Sequence, residues 1–307
     1  MNFPSFEYRK WYQEDINTLD ELDQKVLNSP IVNDIYYRGM ADSNFICIST
    51  FYRHYLLNNQ NLKWVDTDVG FKTKISLPEI NAEEYRKLSI DILDDFYQNL
   101  LALGSKELSF NSVAYLAQHY GLPTNLIDFS IDPKVALFFA CSESPDTDFT
   151  LYKYDIYAHI KNIVSIFANG QTQYFMTNDD GSSMTNEEAA EIVRNDLTII
   201  KPDTTLATPI IKLDEIAYSQ RIINQKGAFV YHNEVLPFDQ VMYTVSPETH
   251  FQGRKIYKIS SKLKPEILSM LDQEGIKSEF LYPSKDKDQN LDLISSAVAK
   301  TKARFGI

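Results

Sequence analysis

The chain has 307 residues, of which 44% are hydrophobic and 13% aromatic, a composition that favours a folded core over disorder. Its formal net charge of −12 opposes general nucleic-acid binding, because binding to phosphates needs a positive field. No apolar run approaches the roughly 18 residues of a membrane span, and the first residues do not form a signal sequence, so no membrane association is expected. Two cysteines in apolar surroundings predict free buried thiols and a cytoplasmic protein.

The first half of the chain predicts helices alternating with short strands. Thr18 and Glu21 form a capping box that opens the first helix. A later helix begins at Asn81, shows a continuous apolar face and ends at Gly104. We predict helices at residues 18–28, 81–104, 111–120 and 133–142, and strands at residues 35–38, 125–129 and 149–156.

The second half continues this alternation, with a second capping box formed by Thr185 and Glu188. Residues 169–186 are the most polar stretch and predict a surface loop. We predict helices at residues 185–195, 265–272 and 290–304, and strands at residues 210–213, 228–232 and 254–259. Because the strands are short and irregularly placed, the pattern favours an α+β fold, with mixed strands surrounded by helices, over a doubly wound sheet.

A segment between residues 116 and 142 predicts a rigid polar corner. Gly121 suits the left-handed position just past a helix, and Pro123 prevents that helix from resuming. Asp132 and Pro133 suit the N-cap and first position of the next helix, whose apolar sequence on every face indicates burial. The polar side chains of the corner are therefore expected to sit on rigid supports, as in a binding site: Gln118, His119, Thr124 and Asp128.

Several common motifs are absent from the sequence. It contains neither of the glycine-rich phosphate-binding patterns, nor a serine-hydrolase elbow, nor the paired-histidine motif of zinc proteases. Residues 286–292 imitate the start of a calcium loop, but Leu291 stands where glycine is needed and Ala297 where glutamate should close the site. With two cysteines and five scattered histidines, no metal site is expected.

Several motifs in this chain resemble those of the FRG domain family, named for a Phe-Arg-Gly element. That element reads Tyr37-Arg38-Gly39 here, and the polar corner matches the family signature over residues 118–140. The resemblance extends to residues 220–229 and 256–283, and so over nearly the whole chain. It implies a single domain over residues 1–307, with an N-terminal helical part to about 110, a core to about 260 and C-terminal helices beyond. One departure is Asn125, where the family usually has arginine.

Three polar residues each allow a functional and a structural interpretation, and a fourth, Asp128, is expected to be structural. Arg38 suits bidentate binding of a carboxylate or phosphate, or an ion pair with Asp128. His119 suits a general base or ligand donor, or a residue that satisfies the carbonyls at a helix end. Asp128, between two apolar neighbours, is expected to be buried and therefore paired. The Gln225 amide could form hydrogen bonds to a hydroxyl or base edge of a ligand, or it could bridge two loops.

The order of these elements also resembles ADP-ribosyltransferase-type folds, in which an early arginine or histidine contacts a nicotinamide dinucleotide and a late glutamate stabilises the transition state. That resemblance implies catalytic roles for Arg38, His119 and Gln225, with Glu234 supplying the negative charge that glutamine lacks. The remaining candidates are ligand-binding residues: Tyr37, Gly39, Gln118, Tyr120, Thr124, Asp128 and Arg221.

Two hypotheses follow from the sequence. The first is an enzyme that cleaves a nicotinamide dinucleotide (NAD) and transfers or hydrolyses the ADP-ribose. The second is a non-catalytic module that recognises a small nucleotide-like ligand or a protein partner, which the resemblance associates with bacterial defence or stress systems. The first requires a carboxylate near the other site residues, and the second does not.

Overall fold

The computed structural model describes residues 13–28, 35–68, 74–156, 182, 184–185, 187–189, 210–211, 220–238, 254–283 and 291–307. Within these ranges, no helix is long and apolar enough to cross a membrane. Almost all of the predicted loop at residues 169–186, and most of the predicted helix at residues 185–195, lie outside the described residues. The capping box itself is described, since the Glu188 amide donates to Thr185 Oγ1 at 3.2 Å and the Thr185 amide donates to Glu188 Oε2 at 2.8 Å.

A mixed seven-stranded sheet, ordered β1-β9-β6-β2-β5-β8-β7, organises the described part of the chain. Its neighbours are antiparallel except for β1 and β9, which run parallel. A separate hairpin joins β3 and β4. The strands are β1 (Gln13–Ile16), β2 (Ile35–Met40), β3 (Trp64–Asp68), β4 (Lys74–Pro78), β5 (Leu126–Ser130), β6 (Phe149–Asp155), β7 (Ile210–Ile211), β8 (Gly227–Tyr231) and β9 (Arg254–Ile259).

The helices pack against this sheet in two main groups. One group buries apolar side chains of α3, α4 and α9 against β5 and β8, and the other places α1, α5 and α7 against β2, β6 and β9. This arrangement confirms the α+β prediction. The helices are α1 (Leu19–Leu22, continued by a π-helical turn at Asp23–Leu27), α2 (Thr50–Asn58), α3 (Ala82–Ala102), α4 (Phe110–His119), α5 (Pro133–Cys141), α6 (Gln220–Gln225), α7 (Lys264–Gln273), α8 (Ser278–Leu281) and α9 (Leu291–Phe305).

The predicted corner between α4 and α5 is confirmed in detail. Gly121 has a φ of 80°, and the Leu122 amide donates to the Ala117 carbonyl at 2.8 Å, which closes α4 with a Schellman motif. Asp132 caps α5 by accepting the Lys134 amide at 2.8 Å, and a proline stands in the first turn. The corner therefore holds the end of α4, all of β5 and the start of α5 in a fixed arrangement.

Gly39 brings β2 and α5 into main-chain contact. A Cβ atom at Gly39 would lie 1.9 Å from the Ala136 carbonyl oxygen and 2.9 Å from Ala140 Cβ. No side chain fits there, because real Cβ atoms do not approach other heavy atoms so closely. Glycine at this position therefore lets the backbone of α5 approach β2 closely.

Cys47 and Cys141 are free and buried, as the sequence predicted. Burial raises the pKa of the Cys141 thiol to about 12. Cys141 is therefore a thiol at neutral pH and contributes packing rather than reactivity.

Candidate functional site

A cavity of about 320 Å³ lies between the sheet and the helices α4, α5 and α6. Most of the residues predicted for the site line it: Tyr37, Arg38, Gly39, Gln118, His119, Asp128, Arg221 and Gln225. Residues far apart in the chain therefore meet at one surface. Three predicted residues do not line it, namely Tyr120, Thr124 and Glu234.

Arg38 lies at the junction of β2 and β5. It was predicted to end its strand, but β2 continues to Met40. The two strands pair at one position only, and the Arg38 guanidinium donates from Nη1 to the Asp128 carbonyl oxygen at 2.6 Å. The side chain is 21% exposed, and its buried Nε makes no hydrogen bond to any described residue. Arg38 therefore holds the β2–β5 junction while one of its donors has no acceptor in the described part of the chain.

Asp128 corrects one prediction, because its side chain is 58% exposed rather than buried. Its neighbours Ile127 and Phe129 do point into the core, but side chains alternate along a strand, so Asp128 faces the cavity. Its carboxylate oxygen Oδ2 lies 3.8 Å from Arg38 Nη1. Gln118 Nε2 donates to both carboxylate oxygens, at 3.3 and 3.4 Å. The carboxylate is thus paired, as expected, but at the cavity surface.

Gln118 is itself held by two hydroxyl groups. Its Oε1 accepts from Thr124 Oγ1 at 2.7 Å and from Thr50 Oγ1 at 3.0 Å. Thr124 therefore contributes to the site from behind the cavity lining. No sequence pattern indicated Thr50 as part of the site, because it lies 68 positions from Gln118 in the chain.

His119 lines the cavity between two tyrosines. Its ring stacks on Tyr115 with centroids 5.7 Å apart and meets the ring edge of Tyr120 at 5.0 Å. Tyr120, predicted to bind the ligand, therefore supports His119 from outside the lining. The packing fixes the plane of the imidazole ring at the cavity surface.

The opposite wall consists of α6 and the residues after α8. The Gln225 amide donates from Nε2 to the Leu281 carbonyl at 3.1 Å, which is the bridging arrangement that the sequence allowed. The Arg221 guanidinium lies over the Tyr282 ring, 4.8 Å from its centroid. The rings of Phe139 and Tyr282 meet edge to face with centroids 6.2 Å apart, so the aromatic surface continues across to α5.

Glu234 lies away from this cavity. Its carboxylate forms an ion pair with Arg86 on α3 at 3.1 Å, and Arg86 Nε also donates to the Asn233 carbonyl. Burial raises the pKa of Glu234, although Arg86 opposes that shift. Among the described lining residues, Asp128 is the only carboxylate.

The aromatic lining was not predicted as part of the site. It consists of Tyr115, Phe139, Phe229 and Tyr282, in addition to the predicted Tyr37. Phe139 belongs to α5, which the sequence indicated to be buried on every side. In the structure Phe138 and Phe139 are only partly buried, and Phe139 faces the cavity. In the described part of the chain, no group of three or more histidine, cysteine, aspartate or glutamate side chains is placed to hold a metal ion.

Comparison with known families agrees with the motifs. Residues 33–148 match the family model of the FRG domain. The match includes Arg38 and the whole corner from α4 to α5, whereas residues 220–229 and 256–283, which also resemble the family, lie outside it. No curated protein and no solved structure matches the chain, so the ADP-ribosyltransferase relation stays a prediction. Residues 33–148 therefore match an FRG domain, and motif residues within this match, among them Arg38, Gln118 and Asp128, line the cavity.

Proposed function

We propose that the cavity binds a small nucleotide-type ligand and that the chain acts as a recognition module. One observation carries this proposal: in a chain of net charge −12, the described lining holds two arginines against one aspartate, beside aromatic rings. A local positive charge with flat apolar surface suits a ligand that combines an anionic group with a ring system.

Arg38 and Arg221 are the groups we assign to the anion. A guanidinium offers two parallel hydrogen bonds to a phosphate or carboxylate. The buried Arg38 Nε has no acceptor among the described residues, which costs free energy. An anionic ligand group that draws this guanidinium toward the cavity would remove that cost.

The aromatic side chains and the size of the cavity describe the rest of the ligand. Phe139 on α5 and Tyr282 on the facing wall lie 6.2 Å apart between ring centroids and offer ring surface for a base to contact. A volume of about 320 Å³ is near the lower end for ligand pockets, which favours a mononucleotide over a dinucleotide. A module of this kind suits a defence or stress system in which a nucleotide serves as the signal.

Recognition is favoured over cleavage of a nicotinamide dinucleotide by the position of Glu234. Stabilising a cationic transition state requires a carboxylate beside the reacting carbon. Glu234 is paired with Arg86 outside the cavity lining, and Asp128 within it already accepts hydrogen bonds from Gln118.

Isothermal titration of the full chain with ribonucleoside monophosphates and diphosphates tests this function. We expect saturable binding of at least one of them, weakened about tenfold or more in Arg38→Ala and Arg221→Ala because each loses a charged contact. Arg53→Ala is the matched control, since Arg53 is an exposed arginine of α2 outside the cavity lining. The function is wrong if none of these nucleotides binds.

A second assay separates recognition from catalysis. Purified protein is incubated with NAD, and free nicotinamide is followed by chromatography. We expect no release. Release that disappears in Arg38→Ala would replace the recognition module with the enzyme hypothesis.

A further inference from the structure

We infer that Asp128 reads the vicinal hydroxyl groups of a ribose, so that the ligand is a ribonucleotide rather than a deoxyribonucleotide. This inference rests on the proposed function and adds the ligand's sugar to it. Its starting point is the only carboxylate among the described lining residues, which is 58% exposed at the cavity surface.

The orientation of the Gln118 amide is fixed from both ends. At one end, Thr50 Oγ1 accepts the Thr124 amide at 3.0 Å and Thr124 Oγ1 accepts the Leu126 amide at 3.1 Å. The Thr124 hydroxyl therefore has its proton available to donate to Gln118 Oε1, whereas Thr50 shares its proton between Gln118 Oε1 and the Thr124 carbonyl oxygen, 3.1 Å away. At the other end, the Asp128 carboxylate can only accept, so the amide NH₂ must face it.

This chain of hydrogen bonds makes Gln118 a positioning residue. Its hydroxyl partners come from the start of α2 and from the turn before β5, which are parts of the rigid frame of the fold. Through its hydrogen bonds, Gln118 restrains the otherwise exposed Asp128 side chain on β5. An exposed aspartate normally samples several rotamers, whereas this one is held with its carboxylate at the cavity.

Asp128 keeps most of its accepting capacity for a ligand. A carboxylate has about four acceptor positions. The Gln118 contacts are long, at 3.3 and 3.4 Å, and both come from the same nitrogen. The Arg38 guanidinium is 3.8 Å from Oδ2, beyond hydrogen-bond distance. Two oxygens side by side with free lone pairs match two adjacent hydroxyl donors.

The charges around Asp128 determine whether the hydrogen-bond donor of a ligand can be cationic or must be neutral. Arg38 and Arg221 line the same cavity and oppose a cationic ligand. A ligand with a neutral donor group and an anionic group can satisfy both sides, because the donor binds the carboxylate and the anion binds the arginines. The ribose of a nucleotide has this composition, and dinucleotide-binding folds also place an acidic side chain on ribose hydroxyls.

The test compares adenosine and guanosine 5′-monophosphates with their 2′-deoxy forms by titration of the full chain. We expect the ribose form to bind about tenfold more tightly or better, because the deoxy form leaves an acceptor without its donor. Asp128→Asn should bring the ratio of the two affinities close to one. Asp91→Asn, which alters an exposed ion pair with Lys87, should keep the wild-type ratio.

Gln118→Met tests the positioning role, because it keeps the side-chain length and removes the amide. We expect weaker binding of the ribose form with unchanged binding of the deoxy form. Equal losses for both forms would overturn the positioning role. Equal affinities of the wild type for both forms would overturn the ribose inference and leave nucleotide recognition standing. Absence of any nucleotide binding would overturn the proposed function together with this inference.

Discussion

Two polar clusters lie back to back in this protein and draw on neighbouring residues of the same two segments. Ser49 and Thr50 begin α2, and Thr124 and Asn125 precede β5. Thr50 and Thr124 hold Gln118 from behind the cavity lining, whereas Ser49 and Asn125 turn to the core. We call these the cavity cluster (Thr50, Gln118, Thr124 and Asp128) and the core cluster (Ser49, Tyr85, Asn125 and Asn233).

The core cluster is closed. Asn125 Oδ1 accepts from the Tyr85 hydroxyl at 2.8 Å and from Ser49 Oγ at 3.2 Å, and Asn125 Nδ2 donates to Asn233 Oδ1 at 2.8 Å. All four side chains are buried and none is charged. Asn125 stands where the resemblance to the FRG family leads one to expect arginine, and an amide here avoids placing an unpaired charge in the core.

The cavity cluster is open, since it ends at a charged and exposed carboxylate. The two clusters show that a hydrogen-bond network alone does not mark a binding site. A network whose every group is satisfied within the protein stabilises the fold. A network that ends at a rigid group with spare acceptors offers that group to a ligand.

Asn125→Ala breaks the core cluster. Tyr85 and Asn233 would each lose a buried partner, so we expect the free energy of unfolding to fall by about 3 kcal/mol. Urea denaturation followed by circular dichroism measures this change. A loss below about 1 kcal/mol, the typical net worth of one hydrogen bond, would show that the core cluster is not the closed structural unit described above.

Ser49→Ala and Thr50→Val compare the clusters at adjacent positions. Ser49 also caps α2 by accepting the Tyr52 amide, so its loss should cost about 1–2 kcal/mol of stability and leave ligand affinity unchanged. Thr50→Val should cost less stability but lower the ratio of ribonucleotide to deoxyribonucleotide affinity. Denaturation and titration on the same samples check both, and the reverse pattern would contradict the division into two clusters.

Glu234→Gln gives the smallest effect and tests whether this carboxylate belongs to the cavity. Ligand affinity should not change, because Glu234 pairs with Arg86 outside the lining. Its pKa is raised in the folded state by burial, so the folded protein holds this proton more tightly than the unfolded chain. Wild-type stability relative to the variant should therefore fall as the pH rises through this raised pKa. Denaturation of both proteins at several pH values measures this dependence. Weaker nucleotide binding by the variant would show that Glu234 contributes to the binding site.

Local chemistry made much of the fold predictable. Capping side chains at Thr18, Asn81 and Asp132 fixed helix starts, and Gly121 fixed a helix end, because each acts within a few residues of itself. The same segments carried the motif residues of the site. Helix α2 was missed although Ser49 and the spacing of its apolar residues could have indicated it.

Contacts between distant segments set the rest. Strand β1 is a polar four-residue segment whose pairing partner, β9, lies some 240 residues further along the chain. The exposure of Asp128 depends on a cavity whose far wall comes from α6 and the residues after α8. Thr50 joins the site only because α2 folds onto the turn before β5. Contacts between such distant segments cannot be predicted from the spacing of residues in the sequence.

The contact between Gly39 and Ala136 gives the cavity two mechanically different sides. With a backbone oxygen pressed against the α-carbon of the glycine, α5 cannot move toward β2, and the wall that carries Phe139 is stiff. The facing wall is joined through single side-chain hydrogen bonds, such as that from Gln225 to Leu281. We therefore expect α6 to shift when ligands of different size bind, while α5 keeps its position.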